Sequence, residues 1–98
     1  MVITILEAHV AADQAEALER AYQEAIKELE AGIQQTFLLH SLADTNLWQI
    51  ITVWQSREAL NTMRQSGQTP RGVLIFRAAG AEPTLTVHNV AAHIMASS

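Results

Sequence analysis

The hydrophobic positions of the first third of the chain follow two periods, one typical of a strand and the next of a helix. Residues 2–10 alternate weakly and are rich in Val and Ile, which predicts a mostly buried strand. Asp13 and Glu16 then have the spacing of a helix capping box, and Gly32 is a helix stop, so a helix is predicted to end at Glu30 or Ala31. Its apolar positions recur at helical spacing and are Ala15, Leu18, Tyr22, Ala25, Ile26 and Leu29.

A β-hairpin is predicted in the middle of the chain. Residues 36–42 and 47–54 are strand-like, and the turn-forming residues 43–46 join them. Ser56 is a good N-cap for a second helix that runs to about Gln65.

The last third contains a short helix and a strand. Thr69 and Pro70 resemble an N-cap followed by Pro in the first helical position, which predicts a third helix to about Ala79. Residues 84–94 alternate well enough to form a final strand.

The predicted order of elements is β-α-β-β-α-β, with the short third helix next to the second. This is an α+β, ferredoxin-like arrangement with an antiparallel sheet and its helices on one face. Ninety-eight residues form a single domain, residues 1–98. The other sheet face is also apolar and no remaining segment can cover it, so a homodimer through the sheet faces is expected. The apolar residues of that face are Ile3, Ile5, Ile51 and Val53.

Composition narrows the classes of partner. The chain is 49% hydrophobic and 16% charged, which indicates a globular protein. Its net charge of −4 argues against nucleic acid and anionic membranes as partners. The absence of Cys excludes disulfides and thiolate metal sites. No signal peptide or membrane-spanning run is visible, so a cytoplasmic location is expected.

Residues 50–60, with the sequence IITVWQSREAL, place Trp54 at the end of a strand and the helix-capping Ser56 two residues later. This junction resembles the strand-Trp-x-Ser junction of the antibiotic biosynthesis monooxygenase superfamily, and the element order is similar over nearly the whole chain. The resemblance implies a dimeric α/β barrel. It also implies one of three roles found in that superfamily: a cofactor-independent oxygenase of phenols and quinols, a haem-degrading enzyme, or a relative without established activity.

The haem-degrading role lacks most of its residues in this sequence. In those relatives an Asn on the first strand, the Trp of the junction and a His on a later helix form the site. Only the Trp carries over, as Trp54, because the first-strand position falls near Ala8 and residues 70–76 contain no His. Haem iron needs an axial ligand. No dinucleotide fingerprint or metal-ligand spacing is present either, so neither a cofactor nor a metal is expected.

Strand parity predicts which side chains of the second hairpin strand share a surface. Trp48, Thr52 and Trp54 are separated by even numbers of residues, so they point to one face of the sheet. If the hairpin loop is even-numbered, Phe37 and Leu39 of the preceding strand join that face, while His40 and Gln49 point to the opposite one. The family resemblance directs the Trp54 face toward the helices, where an apolar pocket for a flat ligand is expected.

The expected pocket has one catalytic candidate, Trp54, whose ring would hold an aromatic substrate. The predicted substrate-binding residues are Tyr22, Phe37, Leu39, Trp48, Thr52, Met63 and Phe76. Plain core packing is the alternative interpretation for Trp48, Trp54 and Phe76.

Several charged residues could have either a catalytic or binding role or a purely structural one. His9 and Glu7 share a strand face and could form a general base, although a surface pair is the more common arrangement. Arg57, Arg64 and Arg71 recur every seven residues, which is typical of a solvated face. Alternatively, Arg64 reaches the pocket mouth and holds an anionic oxygen.

The predicted function is a homodimeric, cofactor-independent monooxygenase of a small aromatic phenol or quinol. Dioxygen reacts slowly with closed-shell molecules, so the deprotonated substrate would supply the electron, and the pocket would stabilise the oxyanion. The candidate donors are the indole N–H of Trp54 or Trp48 and the hydroxyls of Tyr22 and Thr52. The alternative is a non-catalytic dimer of the same fold that binds a small apolar or aromatic molecule or has a stress-related role.

Overall fold

A four-stranded antiparallel sheet forms the base of the structure, a computed structural model that describes residues 1–96. The strands are β1 (Val2–His9), β2 (Ile33–His40), β3 (Leu47–Trp54) and β4 (Thr84–Asn89), in the spatial order β2-β3-β1-β4. The helices are α1 (Ala15–Ala25), α2 (Arg57–Gln65) and α3 (Arg71–Ala78), and a short 3-10 turn (Ala12–Gln14) precedes α1. The predicted α+β, ferredoxin-like arrangement is confirmed.

The core lies between the sheet and the helices in two apolar clusters. The larger cluster joins β1 and β3 to α1 and α3, and Leu18 and Phe76 at its centre have no exposed surface. The smaller cluster joins Val2 and Trp54 to Leu60 of α2. Burial of such side chains contributes about 1.5–3 kcal/mol each, so these clusters hold the helices on one face. Among residues 1–96, no helix is both long and apolar enough to span a membrane.

The register of the β2–β3 hairpin differs from the prediction. Phe37 pairs with Ile51 and Leu39 pairs with Gln49. Paired residues share a face of the sheet, so Phe37 and Leu39 lie with the odd-numbered residues of β3, opposite to the even-numbered Trp54. The prediction that Phe37 and Leu39 share a face with Trp54 is therefore wrong. Both point to the outer face of the sheet, where they are 45% and 41% exposed.

The hairpin loop explains this register. The hydroxyl oxygen of Ser41 accepts hydrogen bonds from the backbone N–H groups of Ala43 and Asp44, at 3.2 and 3.0 Å. The Asp44 carboxylate accepts another from the backbone N–H of Asn46, at 3.1 Å. These local bonds stabilise a connection of seven residues, 41–47, between the paired residues His40 and Trp48. A shift of one residue would reverse the face of every side chain.

His40 shows the same reversal. It was predicted on the outer face, but it pairs with Trp48 on the helix-bearing face. The two rings stack with centroids 3.9 Å apart and planes within 5°. The imidazole Nε2 also lies 2.7 Å from the carbonyl oxygen of Thr45, which ties the end of β2 to the loop.

Element ends also differ from the predicted ones. Helix α1 ends at Ala25, and Gly32 is not its stop but part of a separate turn into β2, with a φ of +93°. The Gly32 carbonyl accepts a hydrogen bond from the backbone N–H of Gln55 at 2.7 Å, and a Cβ at Gly32 would lie 2.5 Å from the Cβ of Ala59. Gly32 is therefore needed for a close approach to α2.

The last strand is shorter than predicted. Strand β4 ends at Asn89, which pairs with Val2 at the beginning of β1. The backbone N–H of Val90 still donates to the Met1 carbonyl at 3.1 Å, and beyond it β1 offers no further partner.

Candidate active site

A cavity of about 130 Å³ lies between the sheet and the helices, at the boundary of the two apolar clusters. An apolar cavity of about 150 Å³ holds one benzene molecule, so this volume suits a single aromatic ring. Its apolar wall is formed by Leu6, Ile26, Leu29, Ile33, Ile50, Trp54, Leu60, Met63, Val73, Ile75, Leu85 and Val87.

Three threonines form a row across the floor of the cavity. Thr52 of β3 pairs with Thr36 of β2 on one side and with Thr4 of β1 on the other. All three line the cavity. Directly opposed side chains on neighbouring strands are about 5 Å apart at Cβ, so the hydroxyls form a continuous polar stripe in an apolar surrounding.

Two hydrogen bonds fix the ends of this threonine row. The indole Nε1 of Trp54 donates to the Oγ1 of Thr4 at 3.1 Å. The hydroxyl of Tyr22 on α1 donates to the Oγ1 of Thr36 at 3.4 Å. A threonine hydroxyl that accepts a hydrogen bond still has its own proton to donate. Within residues 1–96, none of the three threonine hydroxyls donates to another protein group.

The threonine row can therefore stabilise an oxyanion. Hydrogen-bond donors in an apolar site are worth more than in water, because the local dielectric is low. The bonds from Trp54 and Tyr22 also polarise the hydroxyls that accept them, which strengthens their donation.

Trp54 forms a wall of the cavity at the junction between β3 and α2. It is 4% exposed and packs against Val2 and Leu60. The junction is short because Ser56 caps α2, and its hydroxyl oxygen accepts from the backbone N–H of Ala59 at 3.1 Å. Because the indole N–H is bound to Thr4, the ring of Trp54 and not its N–H is left for a ligand.

Charged groups lie on the cavity lining at its mouth. Arg71 and Glu30 are 3.8 Å apart, and Arg64 extends from α2. Arg64 thus lines the cavity, and its contact with an anionic oxygen stays a prediction. Within the described part of the chain, Arg64 has no carboxylate within 4.0 Å.

The structure brings together four of the predicted site residues and separates the other four. Tyr22, Thr52, Trp54 and Met63 line the cavity. Phe37 and Leu39 lie on the outer face for the reason of register given above. Trp48 and Phe76 are buried in the larger cluster, outside the cavity lining.

Thr4 and Thr36 line the cavity but were not among the predicted site residues. Thr4 occupies a buried position of β1, and its strand pairing with Thr52 is needed to recognise it. Thr36 depends on the same hairpin register that was mispredicted. A pattern of Thr among apolar strand residues was the only available signal.

Glu28 also lines the cavity, whereas Glu7 and His9 do not. Glu7 accepts a hydrogen bond from the Gln49 amide at 2.8 Å on the outer face, and His9 lies 3.2 Å from the Asp44 carboxylate. His9 is thus paired with Asp44 and not with Glu7. In residues 1–96, no group of three or more His, Cys, Asp or Glu side chains could hold a metal ion.

Comparisons with known proteins give consistent results. A family model described as antibiotic biosynthesis monooxygenase matches residues 1–72. The structure is similar to a candidate antibiotic biosynthesis monooxygenase from Deinococcus radiodurans, with a TM-score of 0.74, 15% identity and 100% of both chains covered. No curated protein sequence matches the chain.

Two further crystal structures illustrate what proteins of similar fold bind or do. A mutant of SnoaB, a cofactor-independent oxygenase from Streptomyces nogalater, has a TM-score of 0.70 and 16% identity, with 95% of both chains covered. A mutant of MhuD with two manganese protoporphyrin IX molecules per active site has a TM-score of 0.73 and 18% identity, covering 98% of this chain and 100% of that one.

Proposed function

The chain belongs to the antibiotic biosynthesis monooxygenase family, and from this premise we propose that it is a cofactor-independent monooxygenase of a small phenol or quinol. The observation that carries the proposal is an apolar cavity of about 130 Å³ with a row of threonine hydroxyls on its floor. The size suits one aromatic ring, and the hydroxyls suit one ionised oxygen. The reaction takes place beside Trp54.

The substrate supplies the electrons for the reaction. Donation from Thr4, Thr36 and Thr52 favours the phenolate form of the bound ring, and its proton leaves through the mouth of the cavity. The phenolate gives one electron to dioxygen, and the two radicals combine at a ring carbon to form a peroxide anion. This anion takes a proton back from solvent to form a hydroperoxide. Loss of water then leaves a quinone. One oxygen atom enters the ring and the other becomes water, so a phenol and dioxygen balance without an added reductant.

The side chains around the ring position it and exclude water. Trp54 and Met63 form apolar walls, and the Trp54 N–H fixes the Thr4 hydroxyl. Preorganised donors need no rearrangement when charge develops, which is the main source of their effect on rate. Trp54 is thus the catalytic residue proposed to contact the substrate ring.

The proposal includes a homodimer formed through the outer faces of the sheets. Strand parity places Ile3, Ile5 and Ile51 on this face. Phe37 and Leu39 also lie there, and both side chains are exposed. The helices pack on the opposite face of the sheet. Such an apolar sheet face is typical of a sheet-on-sheet interface. A symmetric dimer removes the apolar face of both copies from water in one interface.

Oxygen uptake with a panel of phenols and hydroquinones tests the proposal. We expect uptake that depends on the protein and falls at least tenfold in Trp54→Phe, because the variant keeps a ring but loses the bond to Thr4. Trp48→Phe is the matched control, since Trp48 is a buried Trp of the same strand that does not line the cavity.

Two outcomes would contradict the proposed activity. Equal uptake by the protein, by Trp54→Phe and by buffer would show that the protein does not catalyse the oxidation of these compounds. Tight binding of the same rings without any uptake would instead identify a binding protein.

A further inference from the structure

A second, polar pocket adjoins the apolar cavity. Its volume is about 230 Å³, and its polar lining comes from Arg57, Asn61 and Arg64 of α2 together with Asn89 at the end of β4. The two arginines and Asn61 have the spacing i, i+4 and i+7, so they lie on one face of the helix over two turns. This pocket is called the arginine pocket below.

The arginine pocket and the apolar cavity share part of their walls. Arg64, Leu60 and Val87 line both. A ligand whose ring lies in the apolar cavity could therefore extend a substituent past Leu60 to the two guanidinium groups.

The arginine pocket carries two positive charges. Among the residues that the structure describes, no carboxylate belongs to its lining. Within residues 1–96, neither Arg57 nor Arg64 has a carboxylate within 4.0 Å, whereas Arg20, Arg71 and Arg77 each have one. Two uncompensated arginines next to an apolar cavity stand out in a chain whose net charge is −4.

We propose that the ligand of this protein is an aromatic carboxylate, with its ring in the apolar cavity and its carboxylate in the arginine pocket. The inference rests on the proposed use of the cavity as the substrate site and adds the class of substrate. Guanidinium groups bind carboxylates through paired, charge-assisted hydrogen bonds, and Asn61 and Asn89 supply further amide donors.

This arrangement places the two polar ends of the ligand in different surroundings. The phenol oxygen meets the neutral threonine hydroxyls, and the carboxylate meets the arginines at the solvent side. The arginine contact therefore holds the ring in one orientation and selects against neutral rings of the same size.

Equilibrium binding of hydrocinnamate and its neutral amide, measured by calorimetry, tests the inference. Neither compound has a phenol hydroxyl, so neither can be oxidised by the proposed route, and the result is independent of oxygen uptake. We expect the acid to bind about tenfold more tightly than the amide, which corresponds to one charge-assisted hydrogen bond. Arg57→Gln and Arg64→Gln should each remove most of this preference, because each variant loses one of the two guanidinium groups.

Two controls make the result specific. Arg20→Gln removes the same charge on α1, away from both pockets, and should retain the preference for the acid. Arg64→Lys keeps the positive charge but cannot form the two parallel hydrogen bonds of a guanidinium group. This variant should therefore retain part of the preference for the acid. Equal affinities for acid and amide, no measurable binding of the acid, or an equal loss in Arg20→Gln would overturn the inference, whatever the protein does with phenols and dioxygen.

Discussion

Thr52 is the central residue of the threonine row, between Thr36 and Thr4. Unlike its two neighbours, its hydroxyl has no hydrogen bond to another side chain in residues 1–96. It is therefore the group with the greatest freedom to follow a charge that develops on a bound phenol.

Replacing Thr52 with Val tests the oxyanion role, because Val has nearly the same shape and lacks the hydroxyl. We expect kcat/KM for oxygen uptake to fall by about 100-fold, the usual effect of removing one oxyanion donor. Thr86→Val is the control, since Thr86 lies on the outer face of β4. A Thr52→Val protein with unchanged kcat/KM would show that the hydroxyl does not contact the reacting oxygen.

Face parity on a single strand was enough to predict part of the site. Thr52 and Trp54 were predicted on one helix-facing surface, and helical spacing directed Tyr22 and Met63 toward it. Thr36 could not be predicted, because it depends on pairing between strands. Trp48 shares the face of Trp54, but its position at the other end of β3 places it against His40 and in the core.

The hairpin loop is the element that determined which residues reach the cavity. Its conformation depends on three hydrogen bonds that the side chains of Ser41 and Asp44 accept from backbone N–H groups. A count of turn-forming residues does not reveal such bonds, so the sequence left the register open. Strand β3, in contrast, was predicted with its observed ends, because its β-branched residues are bounded by a loop and by the Ser56 cap.

The titration of Asp44 tests the structure of this loop. The backbone N–H of Asn46 and the neighbouring His9 keep the pKa of the Asp44 carboxyl below its ordinary value of 3.8. Since the folded pKa is depressed, the loop is fully stabilised above about pH 4 and loses this contribution as the pH falls through the folded pKa.

We expect an NMR titration to give a pKa for Asp44 below 3.8, and the amide proton of Asn46 to shift with the same midpoint. A pKa at or above the ordinary value, with an Asn46 amide insensitive to pH, would show that the loop has another conformation.

The N-cap of α2 supports the junction that holds Trp54. Ser56→Ala should lower the free energy of unfolding by about 1 kcal/mol, because the first turn of α2 loses its acceptor. Ser56→Gly should lower the free energy of unfolding by only a few tenths of about 1 kcal/mol, since Gly is itself an acceptable N-cap. Thermal or urea unfolding measures both, and equal losses in the two variants would contradict the capping role.

At the scale of the whole molecule, the apolar outer face requires a partner in the proposed account. Leu39→Asp places a charge in the proposed interface and should convert the dimer to a monomer in size-exclusion chromatography with light scattering. Leu74→Asp is the matched control, because Leu74 is also exposed but lies on α3. A wild-type monomer, or a dimer that survives Leu39→Asp, would contradict the interface.

The order of elements was predictable because it depends on local periodicity, and the predicted Ser56 cap of α2 is observed. The predicted caps at Asp13 and Thr69 are not, since α1 and α3 begin without a side-chain cap. The cavity was predictable only in outline. Its volume depends on where α1 ends and on the turn at Gly32. That turn approaches Ala59 of α2, which is distant in sequence. The arginine pocket depends on β4 lying beside α2, which helical spacing alone does not show.

A crystal structure of the protein with a phenol bound in the absence of dioxygen tests the central claim most directly. The account predicts the ring in the apolar cavity against Trp54, with its oxygen about 2.8 Å from a hydroxyl of the threonine row. A ring bound elsewhere, or one in the cavity whose oxygen points away from Thr4, Thr36 and Thr52, would contradict it.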